Sequence, residues 1–360
     1  LAMSYSSVDS VAKLIPNDLN MTIKKALCVS KELKNIYDTD DAVHNLLDVA
    51  MSIEGMPRHI TIHAAGVVIT DRPVSDYVPL SKSDDNIVTQ FTMTTLEELG
   101  LLKMDFLGLR NLTVIHDAVQ MIQKTEPHFN INNIPEDDKS VFYMMSTGNS
   151  DGVFQFESQG MKNVLTQLKP TSIEDLIAVI SLYRPGPMDS IPTYIHNRHN
   201  PSAVRYDHPL LENILNVTNG CIVYQEQVMQ IFRTLAGYSL GRADIVRRAM
   251  SKKKHDVMEK EKQIFIHGLV DENGNVEVEG CLRRGVDEKT ALSVFSQMES
   301  FASYAFNKSH AAAYANVAYQ TAYLKCHYKK QYMAALLSSV LDNQNKMATY
   351  ISECQRLGIL

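Results

Sequence analysis

From Leu109 onward, apolar side chains recur three and four positions apart in one segment after another: Leu112 to Ile122, Ser140 to Met145, Met161 to Leu168, Ile173 to Leu182, Val228 to Leu235, Ala243 to Met250 and Ala311 to Val340. That spacing puts a stripe on one side of a 3.6-residue turn, so most of the chain can fold only as helices that bury their stripes against one another. The one interruption is Asp271 to Val278, where Asn273-Gly274 suits a two-residue hairpin turn. Between Asn17 and Ile53 the helical spacing appears again, in Ile23, Ala26, Leu27, Leu33 and Ile36 and then in Val43, Leu46, Leu47 and Ala50, enough for two or three helices.

Between these helical regions the pattern changes. After Gly55-Met56-Pro57 the run His63 to Thr70 reads as a buried strand ended by Asp71-Arg72-Pro73. Val88 to Met93 and Leu101 to Leu107, the latter closed by Gly108, are further strand candidates, and together the three predict one small sheet. A chain of 360 residues exceeds one ordinary core and fits two or three domains. The expected class is therefore α+β and mostly helical: a helical lobe, a small sheet, and a large helical lobe.

Composition closes off several classes of function. With 45% hydrophobic and 21% charged residues the chain is neither disordered nor fibrous. No apolar run approaches the roughly 18 residues that span a bilayer, and Leu1 opens no basic-then-apolar leader. The expectation is a cytoplasmic protein with no membrane partner. Cys28, Cys221, Cys281, Cys326 and Cys354 lie far apart with no C-x-x-C, which suggests neither a disulfide framework nor a zinc site. Nucleotide loops of the G-x-G-x-x-G or G-x-x-x-x-G-K-[ST] type are absent. The net charge of -6 argues against a uniformly basic nucleic-acid coat, yet charge is segregated: Arg242, Arg247, Arg248, Lys252, Lys253 and Lys254 crowd around the single anion Asp244.

Several residues could carry chemistry. Asp105 lies in an apolar run with Lys103 two residues before it, on the same face of a strand. A carboxylate there is expensive to bury unless paired or bound to metal. Taken locally, a structural salt bridge is the simpler account, and a magnesium ligand with Lys103 beside substrate phosphates is the sharper one. On the helix Arg242 to Met250, the stripe Ala243, Val246 and Met250 leaves Arg247 and Arg248 pointing off it together. A solvated charged face and a phosphate-gripping surface fit that equally well. Tyr183-Arg184-Pro185-Gly186-Pro187 is a rigid turn that fixes Arg184, or merely a helix stop. Asn307 or Ser309 can cap the following helix and leave Lys308 and His310 near its positive end, as an anion site or as a plain cap. His59 and His63, and Asp38, Asp40 and Asp41, lack ligand spacing and read as ordinary polar groups. The stripes Tyr314, Val317, Thr321, Leu324 and Tyr319, Tyr323 read as packing.

Seven segments follow one another as His63-Ala-Ala-Gly-Val-Val-Ile69, Lys103-Met-Asp-Phe-Leu-Gly-Leu-Arg110, Gly152-Val-Phe-Gln-Phe-Glu-Ser158, Tyr183-Arg-Pro-Gly-Pro187, Tyr224-Gln-Glu-Gln-Val-Met229, Arg247-Arg-Ala-Met-Ser-Lys-Lys-Lys254 and Phe306-Asn-Lys-Ser-His310. In sequence and order they resemble the alpha subunits of bacterial DNA polymerase III, C-family replicative polymerases, in the form without an inserted exonuclease. The resemblance covers essentially the whole chain. It implies that residues 1–62 are part of the thumb, 63–110 the second half of a palm similar to the nucleotidyltransferase palm of polymerase beta, and 111–360 the fingers.

The activity so implied is DNA-directed DNA synthesis, adding deoxynucleotides to a primer 3′ end by two-magnesium phosphoryl transfer. Asp105 matches the third catalytic carboxylate and metal ligand, and Lys103 the palm lysine facing the reacting phosphates. Arg247 and Arg248 match the pair that grips the incoming triphosphate. Arg184, Lys308 and His310 match residues lining the same region, and Lys252, Lys253 and Lys254 would contact DNA. The partners implied are primer–template DNA, deoxynucleoside triphosphates and, through regions outside this chain, a sliding clamp and other replisome subunits. Ser251 stands where many members have glycine, which implies altered loop freedom. The family's paired aspartates, in a P-D-x-D-x-D segment before the thumb, are not in this sequence, and Leu1-Ala2-Met3 looks like an internal cut. One carboxylate cannot hold two magnesium ions, so the chain alone is expected to be inactive. A non-catalytic helical scaffold binding nucleic acid or protein is the competing class; it explains the helical excess but not the ordered motifs.

Overall fold

The chain divides after Gly108 into two units, Leu1–Gly108 and Leu109–Leu360. The computed structural model describes all residues except 2, 17–20, 57–59, 84, 252–254, 303–305 and 360. Asn17, His59 and the lysines Lys252, Lys253 and Lys254 therefore lie outside the described residues.

In the first unit, helices α1 (Tyr5–Lys13), α2 (Ile23–Val29), α3 (Lys31–Thr39) and α4 (Asp41–Ile53) start on Ser4, Thr22, Ser30 and Asp40. Each of these four accepts a first-turn backbone N–H on its side-chain oxygen, a cap worth about 1 kcal/mol. Val11, Ile23, Ala26, Leu33, Val43 and Leu47 turn inward to form one core. The spacing had marked the last three of these helices, whereas α1 precedes the stretch so marked, although Val8, Val11 and Ala12 stand three and four apart in it as well.

The sheet differs from expectation. Strands β1 (Gly66–Ile69), β2 (Leu80–Ser83) and β3 (Asn86–Thr89), helix α5 (Met93–Glu98) and strand β4 (Leu102–Asp105) follow in that order. They make two separate antiparallel ribbons, β1 with β4 and β2 with β3. The strand expected over Val88 to Met93 stops at Thr89, because Thr92 opens α5 and β3 pairs with Leu80-Ser81-Lys82-Ser83, a polar run without strand signal. Nor is β1 buried. A ribbon covers at most one face, and the register Val67↔Met104, Ile69↔Leu102 gathers four apolar side chains on its outer face, with Val67 49% exposed. Gly66, Val68, Lys103 and Asp105 share the other face.

The second unit is built from thirteen described helices: α6 (Arg110–Gln123), α7 (Lys139–Ser146), α8 (Gln159–Leu168), α9 (Ile173–Leu182), α10 (Ile191–His199), α11 (Glu212–Leu215), α12 (Gln225–Ala236), α13 (Leu240–Ser251), α14 (His255–His267), α15 (Glu288–Ala302), α16 (Lys308–His327), α17 (Lys329–Ser338) and α18 (Gln344–Arg356). At its centre lies α9, buried on every side from Asp175 to Leu182 and packed along α16. One core joins α7 to α10 with α16, a second joins α11 to α15, and a third joins α6 to α16, α17 and α18. A hairpin links β5 (Leu269–Val270) to β6 (Val276–Val278) as expected, but its turn is the three-residue loop Glu272-Asn273-Gly274 rather than two residues: Asp271 N donates to Asn275 O (2.9 Å), and Gly274 takes the positive φ of +84°.

The long helix expected over Ala311 to Val340 is instead two helices. Tyr328 leaves helical geometry between them, its hydroxyl donating to Glu126 (2.8 Å) and its ring meeting the edge of Phe129. Tyr319 packs as its stripe implied; its hydroxyl donates to Pro135 O (2.6 Å) and accepts from Asp138 N. Ser251 is the last residue of α13, helical rather than in a loop. Among the described residues no helix is long and apolar enough to cross a membrane.

Candidate functional site

In the first unit the alternation of β4 puts Lys103 and Asp105 on one face, and Lys103 Nζ donates to Asp105 Oδ1. His63 Nδ1 stands 3.9 Å from the same oxygen. Gly66 lies directly across the ladder from Asp105, and a Cβ there would meet Lys103 Cε at 2.6 Å and His63 Nδ1 at 2.8 Å. Glycine at 66 is thus what lets an ammonium and an imidazole converge over the strand. The Lys103 hydrogen bond lowers the Asp105 pKa from its ordinary value; desolvation opposes, and the charges of Lys103 and His63 add to the lowering. Asp105 is 42% exposed, because its apolar neighbours Leu102 and Met104 point to the opposite face, so the burial cost expected of it does not arise. Sequence alone gave His63 no role; only the pairing of β1 with β4 brings it to the carboxylate.

In the second unit α13 behaves as its stripe requires, with Ala243, Val246 and Met250 buried. Arg247 and Arg248 leave that stripe together, but both turn back to Asp244. Arg247 Nη2 is 2.8 Å from Asp244 Oδ1 and Arg248 Nη2 is 2.7 Å from Oδ2. The carboxylate is held below its usual range, chiefly by the Arg247 hydrogen bond. Arg247 is nearly covered and Arg248 largely exposed. Arg242 belongs to a different arrangement: it pairs with Glu261 (2.9 Å) on α14 and Glu277 (3.7 Å) on β6, so it does not add to a free cationic surface.

A third group surrounds an opening of about 360 Å³ between α8, the end of α9 and the start of α16. After α9 the turn swings Arg184 over the ring of Phe306, 4.0 Å from its centroid, and burial pulls the guanidinium pKa down from its ordinary value. Asn307 caps α16 through His310 N (2.9 Å), and His310 stacks on Tyr314 at 4.2 Å with its edge toward Phe306. Tyr183 closes another side over the start of α8, where Gly160 leaves room: a Cβ there would fall 1.7 Å from the tyrosine oxygen. Gln155 and Ser158 stand at the rim. Lys308 is engaged with acids, its Nζ 3.1 Å from Glu174 and its backbone N–H donating to Glu226.

The expected site residues thus fall into three groups: Lys103 with Asp105, Arg247 with Arg248, and Arg184 with His310, while Lys308 sits between carboxylates. Among the described residues no three His, Cys, Asp or Glu side chains could hold a metal ion. Magnesium takes one or two carboxylates plus other oxygen ligands, so Asp105 by itself does not make such a centre.

The model of the bacterial DNA polymerase III alpha NTPase domain matches residues 1–108, and that of the bacterial DNA polymerase III alpha subunit finger domain matches residues 111–273. The DNA polymerase III subunit alpha of Borreliella burgdorferi is 44% identical over 361 residues, covering 100% of this chain and 30% of the relative. The protein of that name from Staphylococcus aureus is 43% identical over 354 residues, covering 98% of this chain and 32% of the relative. The chain therefore spans about a third of the length of the curated relatives it matches. Two family models in tandem and whole-chain identity at this level place the chain in the family of bacterial DNA polymerase III alpha subunits.

Proposed function

We propose that this chain is the nucleotide-handling part of a DNA-directed DNA polymerase that extends a primer on a template strand. The observation that carries the proposal is the Lys103–Asp105 pair on one strand face, in a member of this family. In that account residues 1–62 belong to the thumb, 63–110 to the palm and 111–360 to the fingers, and clamp and replisome partners bind elsewhere in the full-length protein. Magnesium is the cofactor that fits phosphoryl transfer, and among the described residues Asp105 is the carboxylate this segment would contribute to such a centre. When bound, the metal would offset charge on the reacting phosphates.

The residues of this chain bind and orient. Asp105 is ionised at neutral pH, and Lys103 holds its pKa lower still while orienting the carboxylate on that face. Arg247 and Arg248 present two guanidinium groups tied by one carboxylate, and a planar fork suits phosphate oxygens better than a lysine does. Arg184 and His310 line a pocket with aromatic walls, suited to the planar part of a nucleotide as well as to its charge. Lys308, already engaged by Glu174, contributes least. Contacts to DNA would be made through phosphates without regard to sequence, and would weaken as salt rises.

Arg247→Ala in the full-length protein is expected to lower kcat/KM for the incoming deoxynucleotide by about 10²-fold, with affinity for primer–template almost unchanged. Steady-state kinetics with varied nucleotide, beside a DNA-binding titration, measure both. An unaltered nucleotide dependence would overturn the role assigned to Arg247.

A further inference from the structure

Among the described residues only Gln155, Lys169 and Asn219 combine a side chain with a positive φ. Lys169 and Asn219 close helical segments, where the left-handed conformation is ordinary. Gln155, at φ +65°, does not: it takes the third position of the turn Val153 to Phe156, closed by Phe156 N donating to Val153 O at 3.1 Å. Such a position favours glycine, and a larger residue is strained there unless its surroundings fix it.

The surroundings do fix it. Phe154 N donates to Thr321 Oγ1 (3.1 Å), Ser150 Oγ to Phe156 O (2.6 Å) and Tyr332 Oη to Gly152 O (2.6 Å). Lys325 Nζ donates to Asn149 O (2.8 Å) and Asp151 O (2.7 Å). Val153 and Phe156, on either side, are fully buried. All this rigidity holds an exposed side chain. Gln155 is exposed, no described residue takes a hydrogen bond from or gives one to its carboxamide, and it stands at the rim of the opening shared by Tyr183, Arg184, Phe306, His310 and Tyr314.

We infer that Gln155 is a specificity-determining residue that contacts the base of the incoming nucleotide from the minor-groove side. The inference rests on the polymerase function proposed above and goes further, naming a base contact beside the phosphate contacts. A polymerase must accept all four bases, so a side chain that inspects them can use only what they share. In the minor groove that is an acceptor, purine N3 or pyrimidine O2, and a carboxamide NH₂ is the matching donor. A mispair displaces this acceptor and forfeits the bond.

The test compares dGTP with 3-deaza-dGTP opposite template cytosine; the analogue keeps its pairing edge and has C–H in place of N3. With the full-length enzyme, kcat/KM should favour dGTP by about tenfold, the usual worth of one well-placed hydrogen bond. In Gln155→Gly the preference should fall to about onefold through slower use of dGTP, while the melting temperature holds or rises because glycine suits the φ. A dGTP preference that is equal in both proteins, or absent from the unaltered enzyme, would overturn the inference and leave the polymerase standing. Failure of the unaltered enzyme to incorporate dGTP at all would overturn both.

Discussion

Lys325→Met should lower the unfolding free energy of the chain by about 3–5 kcal/mol, the range for removing one partner of a buried ion pair. The Lys325 side chain is wholly buried in α16, and its three donors are all engaged: Glu353 Oε1 at 2.6 Å and the backbone oxygens of Asn149 and Asp151. Glu353, 3% exposed, also receives a two-pronged contact from Arg356 (2.7 and 2.6 Å). Burial alone would push the Glu353 carboxyl up, but the bonds from Arg356 and Lys325 outweigh it and hold the group below its usual range. A carboxylate with a depressed folded pKa stabilises the fold above its unfolded value, about 4.3, and that contribution is lost as pH falls through the folded value. Removing the lysine leaves this buried carboxylate to Arg356 alone and frees two carbonyl groups of the loop that carries Gln155. Replacing both partners, Lys325→Met with Glu353→Leu, should recover only the part of the loss that belongs to the ion pair, since Arg356 is 45% exposed and can be hydrated while the carbonyls of Asn149 and Asp151 stay without their donor. Denaturant unfolding of the purified chain decides the matter. A single substitution costing under about 1 kcal/mol would show that the pair is not holding α16 and α18 to this loop.

Asp105→Asn should have the larger effect on chemistry and almost none on stability. The amide keeps the size of the side chain and its contact with Lys103 while removing the charge. Because the pair lies at the surface, its loss should leave the melting temperature nearly unmoved. Nucleotide incorporation by the full-length protein should nevertheless fall by about 10³-fold, the scale seen when a charge-stabilising group is taken from a phosphoryl or acyl transfer site. The pKa direction sets the pH behaviour. With its carboxyl held below the ordinary value of about 3.9, Asp105 is ionised throughout the neutral range and should add no inflection to a rate profile between about pH 6 and 9. Incorporation within about tenfold of the unaltered protein would remove Asp105 from the chemistry.

What the sequence disclosed follows from the range of the forces involved. Helices such as α9 and α13 were readable because a 3.6-residue stripe is local, and the Lys103–Asp105 pair because side chains two apart share a strand face. The Asp271 to Val278 hairpin was legible from Asn273-Gly274. Asp244 was equally near to hand: three and four residues before Arg247 and Arg248 on one helix, it had to meet both, though counting charges made it a bystander. The rest depends on contacts distant in the chain. Whether β1 joined one sheet or a lone ribbon, and hence whether Val67 was buried, turned on pairing that alternation does not record. His63 reaches Asp105 only through that pairing, and Arg242 finds Glu261 and Glu277 from other elements. The φ of Gln155 was hidden for a different reason: a glycine there would have announced the turn, and the glutamine masks it.

Asp105, Arg247 and Arg248 are proposed to serve one nucleotide in the full-length protein. A structure of the full-length protein with primer–template and an incoming deoxynucleoside triphosphate should find Asp105 and the guanidinium groups of Arg247 and Arg248 all addressed to the phosphates of a single nucleotide. A complex that holds its nucleotide with either of these groups turned away from those phosphates would contradict it.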